Sequence, residues 1–386
     1  MTATPPSTEP RRALPVLTSL RFFAAAVVVF HHQAPDISLP FLDALTRSGY
    51  NAVTFFFVLS GFILTYVYSG PTERQPMARP AGEFWWARFL RIAPAYYLGL
   101  LLLTPRLLYT TLASKITSIE ALLTALFVVP LFQQTMWPGA ALLWNAPAWS
   151  LSVEFFFYLL FPVLAVISAR IPRLWFLAVA GLLVVAMAVL RFQVLPSPAD
   201  EGAYHDYFWF SPLVHLPQFI FGMALGRLFL FGRALPRAVY SAMLYGGLLA
   251  IVLITGARLL GRVYDPVIVG LFGLVIFGGA GREAAGRLLT LPLLVLLGEA
   301  SYSMYILHVP IGFWWEWTTA HLPMALPAWA GFAAYFVLTV VISVLFFLGV
   351  EQPLRRRFRN SPPWTWWKSP RGSGADQPLA AKRGAP

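Results

Sequence analysis

The stretch LTSLRFFAAAVVVFHHQ, residues Leu17 to Gln33, decides the fold, because it is apolar throughout yet carries an arginine and two histidines. Arginine inside a membrane span costs about 2.5–3.5 kcal/mol and usually survives because it faces a functional site. His32 follows Arg21 by eleven helical steps of about 100°, so both side chains share one face about 16 Å apart, whereas His31 points about 80° aside. We therefore predict a membrane helix whose polar stripe faces the interior of a helical bundle.

The composition of the 386-residue chain also indicates a membrane protein. Hydrophobic residues make up 58% and charged residues only 11%, whereas soluble domains average about 25% charged residues. The chain has no cysteine, which excludes disulfides, thiolate catalysis and cysteine metal sites. The basic residues behind the net charge of +12 lie between and beside apolar runs. This placement is typical of residues that orient a membrane protein and argues against nucleic-acid binding.

Nine further apolar runs are long enough to span a bilayer, at about residues 52–69, 86–105, 148–168, 174–193, 211–231, 238–257, 265–281, 290–312 and 328–350. The predicted fold is therefore all-α, a polytopic bundle of about ten transmembrane helices. A shorter run, Ile119 to Gln134, contains Glu120 and precedes an uncharged loop. We predict that it forms one re-entrant or interfacial helix on the outer side.

The distribution of basic residues predicts the orientation, because cytoplasmic loops hold the lysine and arginine excess. With both termini cytoplasmic, seventeen arginines fall on the inner side and six basic residues on the outer side. Counting the run at 119–134 as a full span would destroy this asymmetry. We expect a cytoplasmic tail at 1–13, a transmembrane domain at 14–353 and a basic, mostly disordered cytoplasmic tail at 354–386, in the cell membrane.

Five motifs occur in order along the chain: LTSLRFFAAAVVVFHH, FFFVLSGFILTY at Phe55 to Tyr66, RFLRIAPAYYL at Arg88 to Leu98, WSLSVEFFFYLLFP at Trp149 to Pro162, and GEASYSMYILHVP at Gly298 to Pro310. Together they closely resemble the acyltransferase family 3 of integral membrane acyltransferases. The resemblance implies a ten-span bundle that moves an acyl group, commonly acetyl from acetyl-CoA, onto a hydroxyl of a sugar, glycan, antibiotic or similar acceptor. The family's arginine and histidine pair matches Arg21 and His32.

Three residues are the catalytic candidates. Neutral His32 can accept a proton from the acceptor hydroxyl; the alternative is a buried histidine satisfied by a neighbouring helix. Arg21 offers five fixed donors to a phosphate or carbonyl; the alternative is an ion pair with Glu299, which lies at a similar depth. Glu154 lies about six residues into a span that enters from the outer side, so it is expected to orient His32; the alternative is a neutral buried carboxyl.

Two further sets of residues are candidates for substrate binding. Arg88 and Arg91 share one helix face at a cytoplasmic mouth, where they would bind the phosphates of acyl-CoA or simply anchor the span. Ser301, Tyr305 and His308 fall within about 40° of one another and would contact the acceptor or only hydrogen-bond inside the bundle. His308 and His32 both lie about 25 Å from the inner face. The spacing of the histidines predicts no metal site.

The leading hypothesis is an O-acyltransferase whose partners are acyl-CoA, membrane lipid and a hydroxyl-bearing glycan or glycosylated small molecule. Gly61 beside Ser60 is expected to let two helices approach closely. Ten spans with intramembrane charges also describe a transporter of a small acyl or glycan-related substrate, although the sequence contains no inverted repeat. The sequence leaves open which acceptor is used and on which side of the membrane the transfer occurs.

Overall fold

A computed structural model of the chain describes residues 11–112, 119–137, 139–194, 209–259, 264–281, 287–323 and 326–358, and this part contains helices and no strands. The helices are α1 (Pro15–Gln33), α2 (Pro40–Arg47), α3 (Asn51–Tyr68), α4 (Ala81–Leu112), α5 (Ile119–Phe127), α6 (Trp149–Arg170), α7 (Arg173–Val194), α8 (Pro212–Phe231), α9 (Arg237–Gly256), α10 (Tyr264–Ala280), α11 (Pro292–Thr319), α12 (Ala328–Phe346) and α13 (Gln352–Phe358). A π-helical turn, Phe347–Glu351, joins α12 to α13.

The prediction of an all-α polytopic bundle is confirmed. In the described ranges, 9 helical segments are long and apolar enough to cross a membrane. The tenth predicted span corresponds to α10, which has 17 residues. Most of the two predicted tails, residues 1–10 and 359–386, lies outside the described residues. We call the side of the bundle where α1 begins the near side, and the side where α1 ends the far side.

Glycines bring the central helices into direct backbone contact. A Cβ atom built on Gly61 of α3 would lie 2.0 Å from the carbonyl oxygen of Phe219 in α8. On the other side of the core, a Cβ on Gly298 of α11 would lie 1.9 Å from the carbonyl oxygen of Thr18 in α1. Gly61 therefore allows the close approach that the sequence predicted. The contact at Gly298 sets Arg21 and Ser301, each one turn further along its helix, at similar depth.

Replacing Gly298 with alanine is expected to push α1 away from α11, because the new methyl group meets backbone rather than a flexible side chain. We expect at least a roughly tenfold loss of activity and a lower melting temperature, since overpacking a tight contact costs about 1–3 kcal/mol. The matched control is Gly181→Ala in α7, where a Cβ has no neighbour within 4 Å. Equal melting temperatures for both variants would contradict the tight crossing.

The segment between α5 and α6 enters the bundle from the far side and turns back near its middle. Its Gln134 and Asn145 are both 0% exposed. The Asn145 amide donates a 3.0 Å hydrogen bond from Nδ2 to the carbonyl oxygen of Ile306, near the middle of α11. Helix α5 ends at Phe127, so residues 128–148 rather than a helix at 119–134 make this excursion. Helix α6 begins directly after this segment, where the Trp149 ring packs against Phe210 at a centroid distance of 4.9 Å.

Candidate active site

A cavity of about 230 Å³ lies between α1, α3, α4, α6 and α11. Its lining follows α3 from Val53 to Tyr68, a rise of about 22 Å at 1.5 Å per residue. The small volume spread over this length indicates a narrow cavity that runs along most of α3. Its polar lining residues are Arg21, Ser60, Tyr68, Arg88, Arg91, Ser150, Glu154, Tyr158, Ser301, Tyr302 and Tyr305.

The near end of the cavity is basic, because Arg21, Arg88 and Arg91 all line it and Glu154 is the only carboxylate among the described lining residues. Arg88 donates from Nη2 to the Tyr68 hydroxyl at 3.1 Å, and its guanidinium lies 5.3 Å from the centre of the Tyr68 ring. Within the described ranges, Arg21 and Arg91 make no hydrogen bond and no ion pair. Their donors are therefore available to an anion in the cavity.

A second carboxylate and a fourth arginine approach this basic end through the π-helical turn. Glu351 is 1% exposed and accepts a hydrogen bond from Ser303 Oγ. It interacts electrostatically with Arg91, Arg355 and Arg21. Sequence reasoning missed Glu351, which lies at the end of the predicted transmembrane domain, and Arg355, which falls in the predicted tail. The available signal was an acidic residue directly after an apolar run and just before three arginines.

Glu154 lines the cavity beside Arg21 rather than contacting His32. Its Oε1 accepts a 3.0 Å hydrogen bond from Ser60 Oγ, and its charge interacts with Arg21. The sequence argument counted six residues inward from the far surface. That count placed Glu154 near His32, whereas the structure places it beside Ser60 and Arg21.

Tyr305 closes the inner end of the cavity. Its hydroxyl lies 2.8 Å from Ser150 Oγ and donates to the carbonyl oxygen of Pro147 at 3.2 Å. The Tyr305 ring also packs edge-on against Phe56 at a centroid distance of 6.0 Å. Ser301 lines the same cavity, in agreement with the shared helix face of Ser301 and Tyr305.

The two histidines predicted at equal depth lie in contact just beyond Tyr305, toward the far side. His32 Nδ1 is 3.1 Å from His308 Nε2, and the two rings stack with centroids 5.1 Å apart. His308 is 0% exposed, whereas the side chain of His32 is exposed. Neither residue lines the cavity, so His308 contacts His32 rather than a site shared with Ser301 and Tyr305.

Two other predictions about α1 have clear outcomes. His31 points to a different neighbour, as the helical phase required, with Nδ1 lying 3.0 Å from the carbonyl oxygen of Thr46. The alternative ion pair between Arg21 and Glu299 does not form, and Glu299 is exposed. Because Gly298 faces α1, the next residue is turned about 100° away from it.

From the near side to the far side, the bundle presents three groups in succession. The unpaired arginines come first, the hydrogen-bonded closure at Tyr305 follows, and the exposed His32 lies beyond it. This order suits an anionic substrate with a long arm and a second substrate that approaches the imidazole from the far side. Among the described residues, no group of three or more histidine, cysteine, aspartate or glutamate side chains is arranged to hold a metal ion.

Comparison with known proteins gives a consistent result along almost the whole chain. A family model described as an acyltransferase domain matches residues 15–348. The exopolysaccharide production protein ExoZ of Rhizobium meliloti is 32% identical over 321 residues, covering 81% of this chain and 91% of ExoZ. Acyltransferase MdmB of Streptomyces mycarofaciens is 26% identical over 380 residues, covering 91% of this chain and 94% of MdmB.

A third relative is longer than this chain. The peptidoglycan O-acetyltransferase OatA of Listeria monocytogenes is 22% identical over 395 residues, which cover 94% of this chain and 60% of OatA. No solved structure gives a significant match.

Proposed function

This chain belongs to acyltransferase family 3, and from that premise we propose that it transfers an acyl group, acetyl in the first instance, from acyl-CoA to a hydroxyl of a glycan or a glycosylated small molecule. The enzyme is a multi-pass membrane acyltransferase. Its near side is cytoplasmic in this proposal, with both termini inside the cell, since cytoplasmic loops hold the arginine excess.

The observation that carries the choice of donor is the pair of unpaired guanidinium groups, Arg21 and Arg91, in one narrow cavity with Arg88. Coenzyme A carries several phosphate charges at one end of a long flexible arm that ends in the thioester. Arginine binds phosphate through paired, charge-assisted hydrogen bonds. The phosphates would bind at the near end, while the arm would extend along α3 toward Tyr305.

The proposed reaction is a direct transfer with His32 as general base, and it requires the layer of Tyr305, Ser150 and Pro147 to open so that the thioester reaches the imidazole. The imidazole of His32 takes the proton from the acceptor hydroxyl while the hydroxyl oxygen forms a bond to the thioester carbonyl carbon. The carbon–sulfur bond then breaks, and the leaving thiolate takes up that proton from His32. The products are an O-acyl ester and free coenzyme A, and the closed channel keeps water away from the thioester.

The acceptor class is proposed from the relatives, whose names refer to exopolysaccharide production and to peptidoglycan O-acetylation. A sugar hydroxyl would approach from the far side, because the His32 side chain is exposed there. Family membership favours transfer over the transporter alternative, since a carrier would not need a histidine at the end of a closed channel.

Acyl transfer by the purified protein in lipid nanodiscs tests the proposal, with acetyl-CoA and acetyl-pantetheine compared as donors. We expect release of coenzyme A that depends on an added glycan acceptor. The KM for acetyl-CoA should lie about 10-fold or more below that for acetyl-pantetheine, because charge-assisted contacts to the phosphates contribute about 1.5–3 kcal/mol. Arg91→Gln should remove most of this difference.

The control for this experiment is Arg106→Gln, which changes an exposed arginine of the same helix away from the cavity and should leave both KM values unchanged. Equal KM values for the two donors in the wild-type protein would contradict phosphate binding by the arginines. Uptake of a labelled substrate into vesicles without any acylated product would instead favour a transporter.

A further inference from the structure

We propose that His308 is a positioning residue that fixes the proton of His32 on Nδ1 and so leaves His32 Nε2 free to accept the proton of the acceptor hydroxyl. The inference rests on the proposed function, in which His32 is the general base. It rests on a chain of two hydrogen bonds that ends at a backbone carbonyl oxygen, which can only accept a hydrogen bond.

The first link of the chain determines the proton position on His308. Its Nδ1 lies 2.6 Å from the carbonyl oxygen of Tyr305. A carbonyl oxygen only accepts, so Nδ1 of His308 carries the hydrogen atom. In a neutral imidazole the other ring nitrogen is then an acceptor. His308 therefore presents the lone pair of Nε2 to whatever group lies beside it.

The second hydrogen bond determines the proton position on His32. Nδ1 of His32 lies 3.1 Å from Nε2 of His308, so His32 Nδ1 must be the donor. The Val28 carbonyl, one turn earlier in α1, also interacts with His32 as an acceptor. Across the described residues, no group forms a hydrogen bond with the second ring nitrogen of His32. Neutral His32 therefore has one bare nitrogen, Nε2, on an exposed ring.

The packing around His308 holds the chain in place. The His308 side chain is fully buried, and its own carbonyl oxygen accepts a 2.9 Å hydrogen bond from the Tyr335 hydroxyl of α12. On α1, the Phe30 ring packs against Phe332 of α12 at 4.8 Å. The histidine pair is thus fixed between three helices, and His308 has little freedom to turn away.

In serine hydrolases an aspartate orients the catalytic histidine and stabilises its imidazolium form. In this proposal the neutral imidazole of His308 performs that task for His32. When Nε2 of His32 takes the hydroxyl proton, the bond from Nδ1 to His308 becomes charge-assisted and therefore stronger. The same proton leaves on the coenzyme A sulfur, so the pair returns to its starting state. A buried carboxylate at position 308 would carry a large desolvation penalty, which a neutral imidazole avoids.

The test compares His308→Leu with His308→Gln in the full-length protein in nanodiscs. Leucine removes both links, whereas glutamine offers an oxygen to His32 Nδ1 and an N–H to the Tyr305 carbonyl. We expect His308→Leu to lower kcat about 10- to 100-fold with little change in the KM for acetyl-CoA, as for other groups that orient a functional histidine. His308→Gln should recover most of the lost kcat.

A matched control is His321→Leu, which changes an exposed histidine just after α11 and should leave kcat unchanged. Wild-type kcat in His308→Leu would overturn the inference, and so would an increase in acceptor KM alone, which would make His308 an acceptor contact. If the leucine variant does not accumulate, an inactive His308→Gln protein that still binds acetyl-CoA overturns it. A wild-type protein without any acyl transfer would instead refute the proposed function.

Discussion

Replacing His32 with alanine is expected to lower kcat for acyl transfer by about 10²–10⁴-fold, the usual contribution of a general base. Without the imidazole, no described side chain at the exposed end of the path is held by His308 to accept the hydroxyl proton. The binding of acetyl-CoA should remain, because the arginines line the cavity and His32 lies outside it. Release of coenzyme A, product mass and acetyl-CoA affinity measure the two effects separately.

His31→Ala is the matched control, since it removes the same side chain one residue earlier. His31 approaches the carbonyl oxygen of Thr46 on the α2 side, so its loss should affect stability modestly and leave the chemical step intact. If His31→Ala lost activity and His32→Ala retained it, the assignment of the base from helical phase would be wrong. Normal amounts of both proteins in the membrane are required for the comparison.

Arg21→Ala is expected to reduce kcat/KM for acetyl-CoA by about 10²–10³-fold, comparable to removing an oriented donor from a closed site. The guanidinium lines the cavity and has no hydrogen bond or ion pair within the described ranges, so its donors serve a ligand rather than the fold. Arg21→Lys should recover only part of the loss, because lysine keeps the charge but lacks the planar fork.

Arg47→Ala provides the control for Arg21, because Arg47 is exposed on the far side and pairs with Asp43 at 2.7 Å. It should have wild-type kinetics, since exposed pairs contribute little. A melting temperature for Arg21→Ala well below that of the wild type, with unchanged kcat/KM, would show that Arg21 is structural.

Helical phase and depth predicted the parts of the site that lie on uninterrupted helices. The division of His31 and His32 between two neighbours follows from the 100° step, and the contact between His32 and His308 agrees with their similar expected depth of about 25 Å. These two helices run in parallel and meet at Gly298, so depths counted along them agree to within about one turn.

The same counting failed where the chain departs from simple spans. Glu154 lies beside Ser60 instead of His32, because hydropathy alone does not set the depth at which a helix such as α6 begins. Glu299 turns away from Arg21 because tight packing at Gly298 fixes which face of α11 meets α1. Glu351 was missed because a π-helical turn rotates the chain by an amount that no regular period predicts.

The closure formed by Tyr305, Ser150 and Pro147 also matters for the cell as a whole. The cavity on one side and His32 on the other are separated only by this layer and its aromatic neighbours in the part of the chain that the structure describes. A cell that stores energy as a proton gradient would lose it through an enzyme in which these ends joined. In a membrane that carries such a gradient, the 2.8 Å contact between Tyr305 and Ser150 would keep the two ends apart whenever no acyl transfer takes place.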